Sequence, residues 1–326
     1  MHLLITHAQL WSLFTALVLS VIFTPLAMRL GIRLGITDKP ADGPDAKART
    51  ERRRVNQNVT PRTGGIAIVL AFMVPALFFS TLTLQLRSIF IGGTIIFVGM
   101  LLDDMFDIPA FLKLIIQSVA AVVVIASGVR VTAFTNFFQG GFFQLGLAGI
   151  VLTYFWIVGI TNAMNLIDGL DGLAGGVGAL ILLAMFFFTA VKGMATMGVI
   201  LMALLGAVLG FLVFNYNPAR IFLGDAGSEF LGFMIATLSV YGTLKLPTTV
   251  MFIVAVFALG IPIAETISSI FRRAARHQSP MEADNGHFHY VLLFHGWSQR
   301  RITTLYYLVT AVLCSVGLVI ALLGVH

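Results

Sequence analysis

Residues 195–214 read ATMGVILMALLGAVLGFLVF, twenty residues without a single charge. A helix of that length rises about 30 Å, the thickness of a bilayer's hydrocarbon core. A surface helix of a soluble protein would show a polar face, and this run has none. The rest of the chain repeats the pattern. Its 326 residues are 58% hydrophobic and 10% charged, with a mean hydropathy of +0.97, whereas a soluble domain carries about 25% charged residues. Apolar segments fall at 9–30, 64–82, 88–102, 112–130, 147–163, 173–191, 195–214, 229–245, 248–270 and 302–324. The expected fold is all-α: a polytopic membrane bundle of about ten transmembrane helices, one domain over residues 1–326. No Lys or Arg precedes the first apolar run and no small-residue cleavage site follows it, so residues 9–28 read as a retained helix rather than a signal peptide. The lone Cys314 lies in an apolar run and reads as a packing residue.

Charge orients the segments. Connections taken alternately form one set at 31–63, 103–113, 161–173, 215–229 and 271–301; counted from residue 29, this set holds 16 of the 20 Lys and Arg. The opposite set holds only Arg87, Arg130, Lys192 and Lys245. The positive-inside rule makes the richer set cytoplasmic and puts both termini on the extracytoplasmic side. Nearly every acid falls in or beside the same set, although acids contribute little to insertion. A cytoplasmic site that uses carboxylates accounts for them. The formal charge of +6 fits juxtamembrane anchoring and anionic ligands, with no nucleic-acid partner expected.

Four motifs lie on that face. Asp103 and Asp104 end a hydrophobic segment, and Asp107 shares a helical face with Asp103. Adjacent carboxylates repel unless a cation or proton compensates, which suits Mg²⁺ or a base; a helix end standing in water is the plain alternative. Asn162, Asn165, Asp168 and Asp171 recur every three residues, with Gly169, Gly172, Gly175 and Gly176 among and after them. As a helix this is a drifting polar stripe that must face a cavity or water, or else serve as polar glue between helices. Asn215 to Glu229 places Asp225 between Gly224 and Gly227 before the next segment, with Ser228 set to cap that helix. Such a turn suits phosphate, with Asp225 holding its metal, or it is an ordinary capped turn. His287, Phe288 and His289 form the fourth motif. No Cys or third ligand supports zinc there, so phosphate or sugar contact is favoured over a transition metal, with a solvated loop as the alternative. Lys113 stands alone one short loop from the Asp pair, placed for a phosphate contact, while the basic run from Lys39 to Arg62 reads as topogenic. Glu265 lies inside the ninth segment, where it is expected to meet a polar neighbour; no motif enlists it.

These motifs, in this order on one face, closely resemble the polyprenyl-phosphate N-acetylhexosamine-1-phosphate transferases. That family includes the enzymes that start O-antigen, enterobacterial common antigen and teichoic acid, and the phospho-MurNAc-pentapeptide translocase. The resemblance runs from Asp38 to the last segment. It implies a glycosyl-1-phosphate phosphotransferase: undecaprenyl phosphate attacks the β-phosphorus of a UDP-sugar, giving a polyprenyl-diphosphate-sugar and UMP, with Mg²⁺ required and Mn²⁺ as a substitute. It further implies Asp225 as the Mg²⁺ ligand, with Asp104 or Asp168 as candidates beside it. Asp103 is the proposed base, and Asp104, Asp168 and Asp171 complete the catalytic set. Lys113, Asn162, Asn165, Asn215, His287 and His289 would bind substrate. The expected setting is the bacterial inner membrane, with the site facing the cytoplasm and a homodimer among the allowed arrangements.

One departure bears on the donor. The sugar-nucleotide branch usually reads His-x-His-His in the histidine loop, and here the fourth position is Tyr290. The first two histidines are kept, so activity is expected, and the three-histidine run of the pentapeptide translocase is missing. That favours UDP-GlcNAc or a related UDP-N-acetylhexosamine over UDP-MurNAc-pentapeptide. A transporter of an anionic solute is the rival from another class, but transport sites sit near the bilayer midplane and often within inverted repeats. A phosphate monoester is largely ionised at neutral pH, its second pKa being about 6, so Asp103 as base is less essential than Asp225 as ligand.

Overall fold

The computed structural model describes residues 5–38, 59–135, 141–243, 255–275 and 287–323. Helix α1 (His7–Leu34) starts at a capping box in which Thr6 and Gln9 satisfy each other's backbone groups, and stops at Gly35 in the left-handed conformation. A short antiparallel pair follows, β1 (Thr37–Asp38) with β2 (Thr60–Pro61). Then come α2 (Gly64–Phe79), α3 (Leu84–Phe106) and α4 (Ala110–Ala126). A hairpin of β3 (Ala133–Thr135) and β4 (Phe142–Gln144) leads to α5 (Leu147–Leu166), α6 (Leu173–Val191), α7 (Ala195–Asn215) and α8 (Gly224–Thr243). Residues 255–258 are helical, and α9 (Gly260–Ala275), α10 (Phe288–Phe294) and α11 (Gln299–Leu323) complete the chain.

Each of the ten predicted segments overlaps a helix where it is described, with residues 80–82 and 127–130 lying past the ends of α2 and α4. Residues 244–254, including Lys245 and part of the ninth segment, lie outside the described residues. So do Lys39, Asp42, Asp45 and the basic run from Lys47 to Arg54, together with Glu282 and Asp284. Six helices, α1, α3, α5, α6, α7 and α11, are long and apolar enough to cross a membrane, and α2 and α4 are shorter apolar helices. The protein is a multi-pass membrane protein.

Packing explains the arrangement. The middle helices α6, α7 and α8 are buried almost throughout. The outer helices turn Trp11, Phe14 and Ile22 of α1, and Leu308 and Val312 of α11, outward, where lipid replaces water as the solvent. Helix α1 lies along α7 because small residues let the backbones meet: a Cβ on Gly210 would stand 2.6 Å from the Leu17 carbonyl oxygen. Ser12 and Ser20 donate across that seam to the Val199 and Ala207 carbonyls at 2.9 and 2.6 Å.

The junction of α2 with α8 positions the site. The Gly64 and Gly65 amides donate to the Phe222 and Leu223 carbonyls at 3.0 and 2.9 Å. A Cβ on Gly65 would stand 2.6 Å from the Gly227 nitrogen, so the two helix starts touch backbone to backbone.

Candidate active site

Helix α3 unwinds just past its two acids. Asp107 takes the left-handed conformation with φ 57°, which ends the helix at Phe106 and takes Asp107 off the face it was expected to share with Asp103. Asp103 Oδ1 accepts from the Ile108 amide at 2.9 Å, and its Oδ2 pairs with the Lys113 ammonium from the start of α4. Asp104 points the other way, its side chain fully buried. Its two oxygens accept from the Asp225 and Ala226 amides at 3.1 and 3.0 Å. A carboxylate from α3 therefore caps the N-terminus of α8, where Ser228 was expected to do so. Ser228 lies inside the first turns, donating to the Gly224 carbonyl at 3.0 Å. Gly224 is required here: its φ is +74°, and a Cβ would stand 2.7 Å from Asp104 Oδ2.

Asp225 follows at once. Lys113 Nζ holds its Oδ2 at 2.8 Å, and Arg62 Nη2 holds its Oδ1 at 3.2 Å while lying 3.5 Å from Asp104. Burial works against the Arg62 charge, but the Asp104 and Asp225 carboxylates more than offset it and raise its pKa. Three carboxylates meet two cations, and Asp168 on the α5–α6 turn adds a fourth carboxylate. No hydrogen bond reaches the Asp168 side chain from the described residues. Burial and the neighbouring Asp225 charge push Asp168 up to about 8. Were all four carboxylates ionised, they would outnumber the two cations.

The Asn162–Asp171 stripe is divided by the fold. Helix α5 ends at Leu166, so Asp168 and Asp171 leave the helical face. Asn162 exchanges hydrogen bonds with Gln117 at 2.7 and 3.3 Å, Gln117 donates to Glu229 at 2.8 Å, and Asn165 reaches Glu229 at 3.4 Å. In this state Asn162 and Asn165 bind α4, α5 and α8 together beneath the acids. Asp171 Oδ2 accepts from Asn217 Nδ2 and the Ala219 amide at 2.9 and 3.0 Å, and Asn215 bridges the Gly172 amide to the Ile221 carbonyl. These two residues tie the α5–α6 turn to the α7–α8 turn. The glycines of the segment are covered by side chains: Gly176 meets Tyr307, and Gly169 meets His289 and Tyr290.

The histidines form a second centre that abuts the first. His287 caps α10 and His289 lies within it, their rings stacked 5.6 Å apart at 3°. Both face Glu265 of α9, and a Cβ on Gly169, next to Asp168, would collide with His289 Nε2. Burial pushes the His289 imidazole below its usual value, with Glu265 offsetting part of the shift.

The structure thus gathers Asp103, Asp104, Lys113 and Asp225, sets Asp168 beside them, and joins the histidine loop through Gly169. Sequence reasoning missed Arg62, Gln117 and Glu229. The signals were there: Gln117 follows Lys113, and Glu229 follows Asp225, by four residues, one helical turn on the same face. Glu265 meets the polar neighbours expected of it.

Comparison with known proteins decides the family. Residues 86–243 match Glycosyl transferase family 4. Over 290 residues, 89% of this chain and 78% of the relative, it is 34% identical to a probable undecaprenyl-phosphate N-acetylglucosaminyl 1-phosphate transferase of Bacillus subtilis. The chain belongs to this family of transferases. Across 97% of this chain and 84% of the relative, it is also 28% identical to an undecaprenyl-phosphate alpha-N-acetylglucosaminyl 1-phosphate transferase of Salmonella typhi, and 26% identical to one of Escherichia coli. The family match begins inside α3 and ends with α8, so it takes in the acids of both helices and the Asn162–Asp171 segment, but not the histidine loop.

Proposed function

We propose that the protein transfers N-acetylglucosamine 1-phosphate from UDP-N-acetylglucosamine to undecaprenyl phosphate. An oxygen of the lipid phosphate attacks the β-phosphorus, the bond from that phosphorus to the bridging oxygen breaks, and UMP leaves with the bridging oxygen. The observation that carries this reading is the convergence of Asp103, Asp104, Asp225, Lys113 and Arg62. Nucleophile and electrophile are both anionic, and phosphoryl transfer depends on positioning and charge neutralisation. Lys113 and Arg62 supply two fixed positive charges, and the names of the relatives supply the sugar and the lipid.

Mg²⁺ fits this donor set. No group of three or more His, Cys, Asp or Glu is ready-made for a metal among the described residues. Mg²⁺, however, takes one or two carboxylates and completes its octahedron with water and substrate phosphates. Asp225, with Asp168 free of hydrogen bonds beside it, would hold the ion; when bound it would neutralise charge on the diphosphate. Both Asp104 oxygens already bind amides, which makes it a support for Asp225 rather than a ligand. Asp103 stays beside Lys113, where it orients the ammonium and can take the residual proton of the lipid phosphate.

The positive-inside distribution supports ten spans, both termini outside and the site at the cytoplasmic surface of the bacterial inner membrane. The test uses purified protein, undecaprenyl phosphate and Mg²⁺, and measures UMP release from UDP-GlcNAc, UDP-GalNAc and UDP-MurNAc-pentapeptide. Release with UDP-GlcNAc is expected. No release with any donor sinks the transferase reading and leaves the anionic-solute transporter; release with UDP-MurNAc-pentapeptide alone replaces the donor.

A further inference from the structure

Glu265 is a carboxylate 1% exposed, set inside a membrane protein where an unpartnered acid is costly. Its surroundings are more than packing requires. Oε1 accepts from the Tyr306 hydroxyl at 2.6 Å and from the Phe288 amide at 3.1 Å. Oε2 lies 3.3 Å from His287 Nδ1, and Oε1 lies 3.6 Å from His289 Nδ1. One carboxylate thus collects α9, both ends of the His287–His289 pair and α11. The two rings present the same nitrogen to the same anion and are stacked nearly parallel, at 3°. Beyond the 3.6 Å approach to Glu265, His289 has no hydrogen bond on either ring nitrogen among the described residues, although it is fully buried. Its Nε2 rests on Gly169, one residue from Asp168.

We infer that Glu265 is the positioning residue of the histidine pair. By taking Nδ1 of His287 and facing Nδ1 of His289, it leaves Nε2 of His287 as the atom offered to the diphosphate, while Nε2 of His289 stays buried against Gly169. A carboxylate on one imidazole nitrogen fixes the tautomer and ring orientation and makes the other nitrogen more basic. Tyr306 and the Phe288 amide hold the carboxylate still, so the orientation passes from α11 through Glu265 to the rings. The inference rests on the transferase reading for its substrate, but not for its geometry.

The experiment compares full-length wild type, Glu265→Gln, the His287→Ala/His289→Ala double variant, and their combination. Glu265→Gln keeps an oxygen for Tyr306 and Phe288 but removes the anion from the imidazoles. Turnover of UDP-GlcNAc is expected to fall on the order of 10- to 100-fold, more in kcat than in KM. Adding Glu265→Gln to the double variant is expected to change turnover less than about twofold, because partners in one unit are not additive. Wild-type turnover in Glu265→Gln, or an undiminished loss in the combination, overturns the assignment. A second readout needs no turnover: ¹⁵N-histidine NMR of the wild type is expected to show His287 protonated on Nδ1, and Glu265→Gln to lose that signature. His287 protonated only on Nε2 in the wild type overturns it. If the wild type itself releases no UMP, the transferase reading fails while the NMR result still decides Glu265. If Glu265→Gln does not fold, Tyr306→Phe carries the test, with a smaller loss of the same kcat-weighted kind expected and wild-type turnover refuting it.

Discussion

Asp225 carries a different burden from the acid that supports it. Its oxygens face Lys113 and Arg62 and are partly open, whereas those of Asp104 are spent on backbone amides in a closed setting. Substitution should separate these roles. Asp225→Asn keeps the shape and removes the charge, so turnover is expected to fall on the order of 10²–10³-fold and the Mg²⁺ titration to flatten, with little change in the melting temperature. Near-normal activity in that variant would refute its proposed role as ligand. Asp104→Ala leaves the Asp225 and Ala226 amides without their acceptor, a cost of about 1–3 kcal/mol, so thermal unfolding should come earlier. If Asp104→Ala loses activity with an unshifted melting curve, Asp104 is acting on substrate and the capping role is wrong.

At the scale of elements, the α2–α8 junction sets the distance between Arg62 and Asp225. Gly65→Ala puts a methyl group 2.6 Å from the Gly227 nitrogen. Overpacking of this kind costs about 1–3 kcal/mol, and moving α2 also moves Arg62. Thermal denaturation and UMP release should both decline; a normal melting curve would show that the junction yields without strain. The helices themselves were legible in the sequence, because a lipid-facing or core-facing run has no polar phase to hide it. Asp225 and Lys113 stood out for the same reason, as charged groups at the ends of apolar runs, and the fold brings them together. The division of the Asn162–Asp171 segment was not. A period of three reads as one stripe, but α5 stops at Leu166, and Asn162 and Asn165 are claimed by Gln117 and Glu229. Those partners lie 45 and 64 residues away, and no local spacing announces a contact made by the fold. Arg62 was hidden differently, as the last member of a basic run with an ordinary topogenic explanation.

For the whole molecule, the open question is which turns share a compartment. The turns around Asp107, Asp168 and Asn217 are joined by hydrogen bonds and ion pairs, so they lie at one end of the bundle. The turn at Lys192–Gly193 lies between α6 and α7, one membrane crossing away from Asn217 along α7. The α2–α3 turn at Leu82 should share its side, since α3 runs from there to Asp107. The proposed orientation puts the acid-bearing end in the cytoplasm, because the alternate set of connections to which these turns belong holds 16 of the 20 Lys and Arg. Single cysteines test this. In a Cys314→Ala background, cysteines at Asp107 and Asn217 are expected to resist a membrane-impermeant maleimide in intact cells and to react once the cells are opened. Cysteines at Leu82 and Lys192 should react in intact cells. The reverse pattern would invert the protein, and would place the carboxylate site where cytosolic UDP-sugars cannot reach it. Mixed labelling of Asp107 and Asn217 would break the single end that the hydrogen bonds require.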